Sequence, residues 1–163
     1  MRPWLPPDAV DFMDSILTPQ SWVIEHGAGQ STIWLAQRAA RVISYEGDPK
    51  WYVRVGGWLY RYNLVDKVTL IYCGDIAERG AVLPRNAPQD AAYDLIFVDG
   101  RGRVRFWLDF QKYLKPGGWL CFDDAERPKY MRAMDTLFGW KQKIFLKPEK
   151  PGAFTLFAQK PGR

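Results

Sequence analysis

Apolar residues along the chain recur at two spacings that alternate from one end to the other. Val10, Phe12, Met13, Ile16 and Leu17 follow Pro6-Pro7-Asp8 at helical intervals and stop at Thr18-Pro19, which predicts a helix within an N-terminal segment of residues 1–20. Ser21 to Glu25 then reads as a strand, Thr32 to Arg38 as a helix, Arg41 to Glu46 as a second strand and Pro49 to Tyr62 as a helix. Lys67 to Tyr72 and Tyr93 to Val98 are the third and fourth strands. Between them Ile76 to Ala92 is irregular, broken by Gly80, Pro84 and Pro88, with room for one short helix. Helical spacing returns from Val104 to Leu114, Pro116-Gly117-Gly118 marks a turn, and Trp119 to Phe122 is a fifth strand. Tyr130 to Phe138 reads as a last helix. Trp140 to Leu146 and Ala153 to Gln159 are closing strands, joined through Pro148 to Gly152.

Strands alternating with helices imply a parallel sheet covered on both faces. The last two strands are too close in sequence for a parallel crossover and must run antiparallel. The expected fold class is therefore α/β, a doubly wound, seven-stranded, mostly parallel sheet with one antiparallel strand near the C-terminus. At 163 residues the chain reads as a single domain over 1–163.

Composition narrows the picture further. Hydrophobic residues at 47% and charged residues at 25% exclude a disordered chain. A net charge of +5 leaves nucleic acid, phosphorylated sugar or acidic glycan open as partners. Cys73 and Cys121 lie in apolar runs and read as buried thiols, with no disulfide framework or metal-binding cysteine spacing. Met1 to Pro7 lacks the apolar stretch of a signal peptide, and no run is long enough to span a membrane, so a cytoplasmic location is expected.

The chemistry concentrates where strands end. Ligands of open parallel sheets bind beyond the carboxyl ends of the strands, where strand order reverses. The first strand runs into Glu25-His26-Gly27-Ala28-Gly29-Gln30-Ser31-Thr32, in which two glycines allow close main-chain approach and a helix start points N–H groups at a ligand. Thr32 stands where a dinucleotide fingerprint has its third glycine. A carboxylate at Glu25 suits an ammonium better than a pyrophosphate, so a nucleoside with an amino-acid tail is the expected ligand. The other tips also carry acids: Glu46, Asp75 after Cys73-Gly74, Asp99 before Gly100, and Asp123-Asp124. Capping alone does not explain acids at every tip, because their mutual repulsion calls for a cationic ligand or metal.

These motifs, Glu25-x-Gly27-x-Gly29-x-Ser31-Thr32, Tyr45-Glu46-Gly47-Asp48, Tyr93 to Gly100 and Leu114-Lys115-Pro116-Gly117-Gly118, resemble in order and spacing those of class I S-adenosylmethionine-dependent methyltransferases. The resemblance implies that Glu25, His26, Gly27, Gly29, Ser31 and Thr32 form the methionine end of a cofactor site. It further implies that Glu46 with Gly47 binds ribose, that Gly74, Asp75 and Ile76 meet adenine, and that Asp99 lies beside both the methionine end and the reaction centre, as a cofactor-binding residue and the catalytic residue. His26, the one histidine, is read as facing the cofactor backbone with no part in proton transfer. Trp51 packs near the adenine or in the core.

A narrower resemblance is to small metal-dependent O-methyltransferases of the catechol and caffeoyl-coenzyme A type. They hold a divalent cation between an Asp after strand four and an Asp-Asn pair after strand five. It implies a Mg2+ or similar ion on Asp99, Asp123 and Asp124, with Asp124 departing from the expected Asn. The competing reading has Asp123 capping the last helix and Asp124 bonded to Arg127 or to solvent. Arg101, Arg103 and Arg105 read equally as recognition of a substrate carboxylate or phosphate and as a solvated helix start with one Arg paired to Asp99 or Asp124.

The resulting expectation is O-methylation of a small-molecule or glycan-like acceptor. The alternative is a cofactor-binding protein or subunit that cleaves the cofactor, transfers its aminopropyl group or acts only with a partner. The Asn-Pro-Pro-Tyr type of signature of amino-group methylases is missing, whereas arginine or RNA acceptors stay open. Loops this short also suit a homo-oligomer in which another protomer closes the acceptor site.

Overall fold

Val23 and Ile24 project from opposite faces of one sheet, and the same alternation in its neighbours divides the apolar core into two clusters. The computed structural model describes residues 1–76 and 80–162. Its seven strands are β1 (Trp22–His26), β2 (Arg41–Glu46), β3 (Val68–Tyr72), β4 (Tyr93–Val98), β5 (Leu114–Phe122), β6 (Lys141–Leu146) and β7 (Phe154–Gln159). They lie in the order β3-β2-β1-β4-β5-β7-β6. The pairs from β3 through β5 are parallel, and β7 runs antiparallel to both β5 and β6. The doubly wound sheet with a reversed strand near the C-terminus is thus as the alternation of elements predicts. Strand order reverses between β1 and β4, and their tips are tied by the Asp99 N–H donating to the His26 carbonyl at 2.8 Å.

One face is covered by α1 (Pro7–Ile16), α2 (Gln30–Ala36) and α3 (Pro49–Arg61), which bury Met13, Ile33, Leu35, Val55 and Leu59 against Val23, Val42, Leu95 and Phe97. On the other face α4 (Arg103–Phe110) sets Phe106, Trp107 and Phe110 on Ile24, Tyr45, Ile96 and Val98. Asp48 starts α3 by accepting the N–H groups of Lys50 and Trp51 at 2.8 and 3.1 Å, with Pro49 fitting the first turn. Among the described residues no helix is long and apolar enough to cross a membrane.

Three elements depart from expectation. Helix α2 begins at Gln30 rather than Thr32, because the Thr32 hydroxyl accepts the Gly29 N–H at 2.9 Å and closes the first turn from inside it. Strand β5 already pairs at Leu114 opposite Tyr93 and resumes at Trp119 opposite Leu95, so Pro116-Gly117-Gly118 is an irregularity within a strand rather than a turn before one. The expected last helix is split into a 3-10 turn at Pro128–Tyr130, α5 (Met131–Met134) and a second 3-10 turn at Asp135–Leu137. Of the short helix expected after Ile76, residues 77–79 lie outside the described residues.

Candidate functional site

At the carboxyl ends of β1 to β4 the chain leaves a cavity of about 1520 Å³, larger than a single small ligand requires. It is shaped by close backbone contacts between neighbouring strand tips. A Cβ on Gly27 would lie 2.7 Å from the Gly100 nitrogen, and one on Gly47 would lie 2.6 Å from the Gly74 carbonyl oxygen. Gly27 also holds φ at +95°, which other residues resist. The side chain omitted at these positions is what allows the tips to touch and leaves main-chain groups facing the cavity.

Ten of the twelve positions expected to hold the cofactor line this space: His26, Gly27, Gly29, Ser31, Glu46, Gly47, Gly74, Asp75, Ile76 and Asp99. Glu25 and Thr32 do not. Glu25 is fully buried beneath the glycine loop, where its carboxylate accepts hydroxyl groups from Ser31 and Ser44 at 2.5 Å and from Thr32 at 2.6 Å. An acid here shapes the loop from below instead of meeting an ammonium directly. Burial pushes Glu25 up to about 7, against the three hydroxyl donors, which lower it. Glu46 faces the cavity and accepts the Asp48 N–H at 2.7 Å, and burial likewise raises its pKa.

His26 is buried, and its ring stacks on Phe106 with centroids 4.3 Å apart and planes 9° from parallel. Burial, reinforced by the Arg103 charge, lowers its pKa to about 3, so the imidazole stays neutral and is too weak a base to hold a proton at ordinary pH. Its Nδ1 has no hydrogen-bond partner among the described residues.

Asp99 lies at the β4 tip with its side chain 34% exposed, and Arg103 donates to its Oδ1 at 2.8 Å. Burial and the negative charge of Asp123 push the Asp99 carboxyl above the ordinary range, and Arg103 opposes them. Arg103 is itself buried. Its guanidinium also donates to the main-chain oxygens of Gly100 at 3.0 Å, Asp99 at 2.8 Å and Asp123. It clamps the tips of β4 and β5 together and has no fork left for a substrate. Arg105 pairs with Asp109 at 2.8 Å, whereas Arg101 is exposed on the cavity wall.

The expected metal ligands do not fit a divalent cation. Asp123 and Asp124 are buried away from the cavity. The Lys147 ammonium, in the turn between β6 and β7, lies 2.7 Å from Asp123 Oδ2 and 2.8 Å from Asp124 Oδ1. Thr155 donates to the other Asp123 oxygen at 2.6 Å, and Arg127 pairs with Asp124. Against the cost of burial, Lys147, Arg127 and Arg103 hold Asp124 below its ordinary pKa, and the two aspartates raise that of Lys147. A dication would have to displace an ammonium that already neutralises its ligands. No group of three His, Cys, Asp or Glu residues among the described ones is arranged to hold a metal. The bond from Arg127 to Asp124 is the bland alternative read from the sequence.

Sequence reasoning missed the far wall of the cavity, made by Arg127, Lys129, Tyr130 and Arg132 after β5, together with Trp4 at the N-terminus. Its only signal was basic residues flanking Tyr130 just past a strand tip.

The fold matches that of known proteins. A candidate caffeoyl-CoA O-methyltransferase from Staphylococcus aureus superposes with a TM-score of 0.72 at 16% identity, covering 98% of this chain and 86% of that one. A candidate rRNA methylase from Clostridium thermocellum gives 0.71 at 13% identity, with 96% of each chain covered. A Streptococcus mutans methyltransferase candidate, solved in complex with SAH, gives 0.65 at 14% identity over 91% of this chain and 94% of that one. No curated protein sequence matches. These likenesses establish the fold. A family model described as a methyltransferase domain matches residues 24–125, from the middle of β1 past the tip of β5. That span carries the glycine loop and every acid at the strand tips, so the chain belongs to the methyltransferase-domain family and is an S-adenosylmethionine-dependent methyltransferase.

Proposed function

We propose that this enzyme methylates an oxygen of a small-molecule or glycan-like acceptor, with Asp99 as the base that takes the acceptor's proton. The observation that carries the reading is the position of Asp99. Its carboxylate lines the cavity beside the glycine loop, where the Asp99 N–H donates to the His26 carbonyl, and pairs with Arg103, and its pKa is raised toward the range a general base uses. When bound, S-adenosylmethionine supplies a methyl group made electrophilic by a sulfonium.

The acidic half suits that cofactor. Glu46 would accept the ribose hydroxyls, Asp75 and Ile76 would flank the adenine, and the main chain from Gly27 to Ser31 would meet the methionine end. Glu25 and Thr32 contribute from beneath by fixing the loop. On the other side Asp99 would accept the hydroxyl proton as the acceptor oxygen takes the methyl group, and would release that proton to solvent through its exposed edge before the next turnover. Arg103 then stabilises Asp99 in its charged state between turnovers and holds it at the junction. In-line displacement of this kind asks for alignment more than for covalent help. A clamp buried between two strand tips supplies alignment.

The reading requires no metal, because Lys147 already neutralises Asp123 and Asp124. Cys73 and Cys121 are free thiols, in keeping with a reducing, cytoplasmic setting. Incubating the purified protein with methyl-labelled S-adenosylmethionine and a panel of hydroxylated acceptors tests the proposal. Label on an acceptor oxygen supports it. Cofactor breakdown without an acceptor, label on nitrogen, or binding without turnover across the panel would replace it with the alternatives raised by the sequence.

A further inference from the structure

We infer that the acceptor carries an oxyanion, a phosphate or a carboxylate, recognised by Arg101, Lys129 and Arg132 as a discrete group on a small molecule. The inference rests on the methyl-transfer reading and specifies the acceptor side of the same cavity.

The two halves of the cavity differ in charge. Glu46, Asp48 and Asp75 line the cavity from the segments after β2 and β3, whereas Arg101, Arg103, Arg105, Arg127, Lys129 and Arg132, with Asp99 and Asp109, line it from the segments after β4 and β5. Three of these six cations are committed within the fold: Arg103 to Asp99, Arg105 to Asp109 and Arg127 to Asp124. The remaining three have no acidic partner among the described residues. Arg101 and Arg132 are exposed, and Lys129 is exposed with its ammonium 5.2 Å above the Tyr130 ring. The guanidinium of Arg103 lies 5.4 Å from the centre of that same ring. Tyr130 therefore stands beside both Lys129 and the arginine that bonds Asp99.

Like charges on one cavity wall repel one another unless an anion joins them. Arginine forks match the planar oxygens of carboxylates and phosphates, and an ammonium adds a point charge. The pairing of the intervening cations with acids leaves separate positions and no continuous basic track. That favours one compact anion over the successive phosphates of a nucleic acid.

The test measures equilibrium binding to protein saturated with S-adenosylhomocysteine, using phenyl phosphate, benzoate, phenol and a single-stranded eight-nucleotide RNA as probes. The inference expects phenyl phosphate or benzoate to bind at least about tenfold more tightly than phenol, and the stronger of the two identifies the oxyanion. It expects about tenfold weaker binding of that probe in the double variant Arg101→Ala/Arg132→Ala, with partial recovery in Arg101→Lys/Arg132→Lys. Equal binding of phenol and the anions overturns it. So does tight binding of the RNA with no measurable binding of phenyl phosphate or benzoate. S-adenosylhomocysteine affinity is read in the same titrations and reports separately on the parent reading. If the product does not bind, the cofactor site has failed; if it binds while the anions do not, only the acceptor class has failed.

Discussion

The Lys147 ammonium, in the turn before β7, reaches across to the tip of β5 and donates to Asp123 Oδ2 at 2.7 Å. This bond settles the electrostatics of a pair of acids that the sequence presents as metal ligands. Turnover is therefore expected to be unchanged by a chelator and unaffected by added Mg2+ or Mn2+, measured as initial rates with labelled cofactor. Lys147→Met, which leaves two buried carboxylates facing each other, is expected to lower stability by about 3 kcal/mol in denaturant unfolding. Activation by a divalent cation would contradict this assignment.

Asp99→Asn keeps the shape of the β4 tip but cannot take a proton. The expected result is a fall in kcat of about 100-fold with little change in S-adenosylhomocysteine affinity. Because the pKa of Asp99 is raised by burial and by Asp123, kcat/KM of the native enzyme should rise with pH through a value above the ordinary aspartate range. A profile flat across that range in the native enzyme would remove Asp99 from the role of base.

Glu25 links stability to pH with an inverted sign. Its pKa is raised on folding from 4.5 to about 7, so between those values the folded state binds more protons than the unfolded one. Its contribution is fully present at low pH and is lost as pH rises through about 7, falling by about 1.4 kcal/mol for each pH step between the two values. Unfolding free energies measured at pH 5 and pH 8 should show a fall in the native protein that is smaller in Glu25→Gln. Equal pH dependence in the two proteins would show that Glu25 is charged throughout.

Gly100 and Gly27 are close to each other but fail for different reasons when enlarged. A Cβ on Gly100 would lie 2.6 Å from His26 Nε2, and that ring is held against Phe106. Gly100→Ala is expected to destabilise the site and weaken S-adenosylhomocysteine binding, and His26→Ala in the same chain should restore part of the loss. Gly27→Ala meets the Gly100 backbone and forces a strained φ, so His26→Ala should not rescue it. Calorimetric titration of the four variants separates the two cases.

The sequence was most legible where a feature is local. Strands β2 and β4 have the expected bounds, Arg41 to Glu46 and Tyr93 to Val98, because each is an apolar run stopped by an acid. The glycine loop and the acids at the tips were visible for the same reason. Pro116-Gly117-Gly118 misled because turn residues also occupy an irregular strand, where pairing with β4 overrides local preference. The direction in which Glu25 points follows from strand alternation, which also sets Val23 against the α2 face. Its three hydroxyl partners come from two separate elements and have no common spacing. Lys147 is the extreme case. It lies 24 residues from Asp123, and only the return of β7 alongside β5 brings its turn to that tip.

The hydroxyls of Ser31, Ser44 and Thr32 satisfy the Glu25 carboxylate from within the chain, so its bonds ask nothing of a ligand. The loop above it has its shape at no cost to the binding event. Cofactor capture should then proceed in one kinetic phase, with a rate that climbs linearly with cofactor concentration and never saturates at an ordering step.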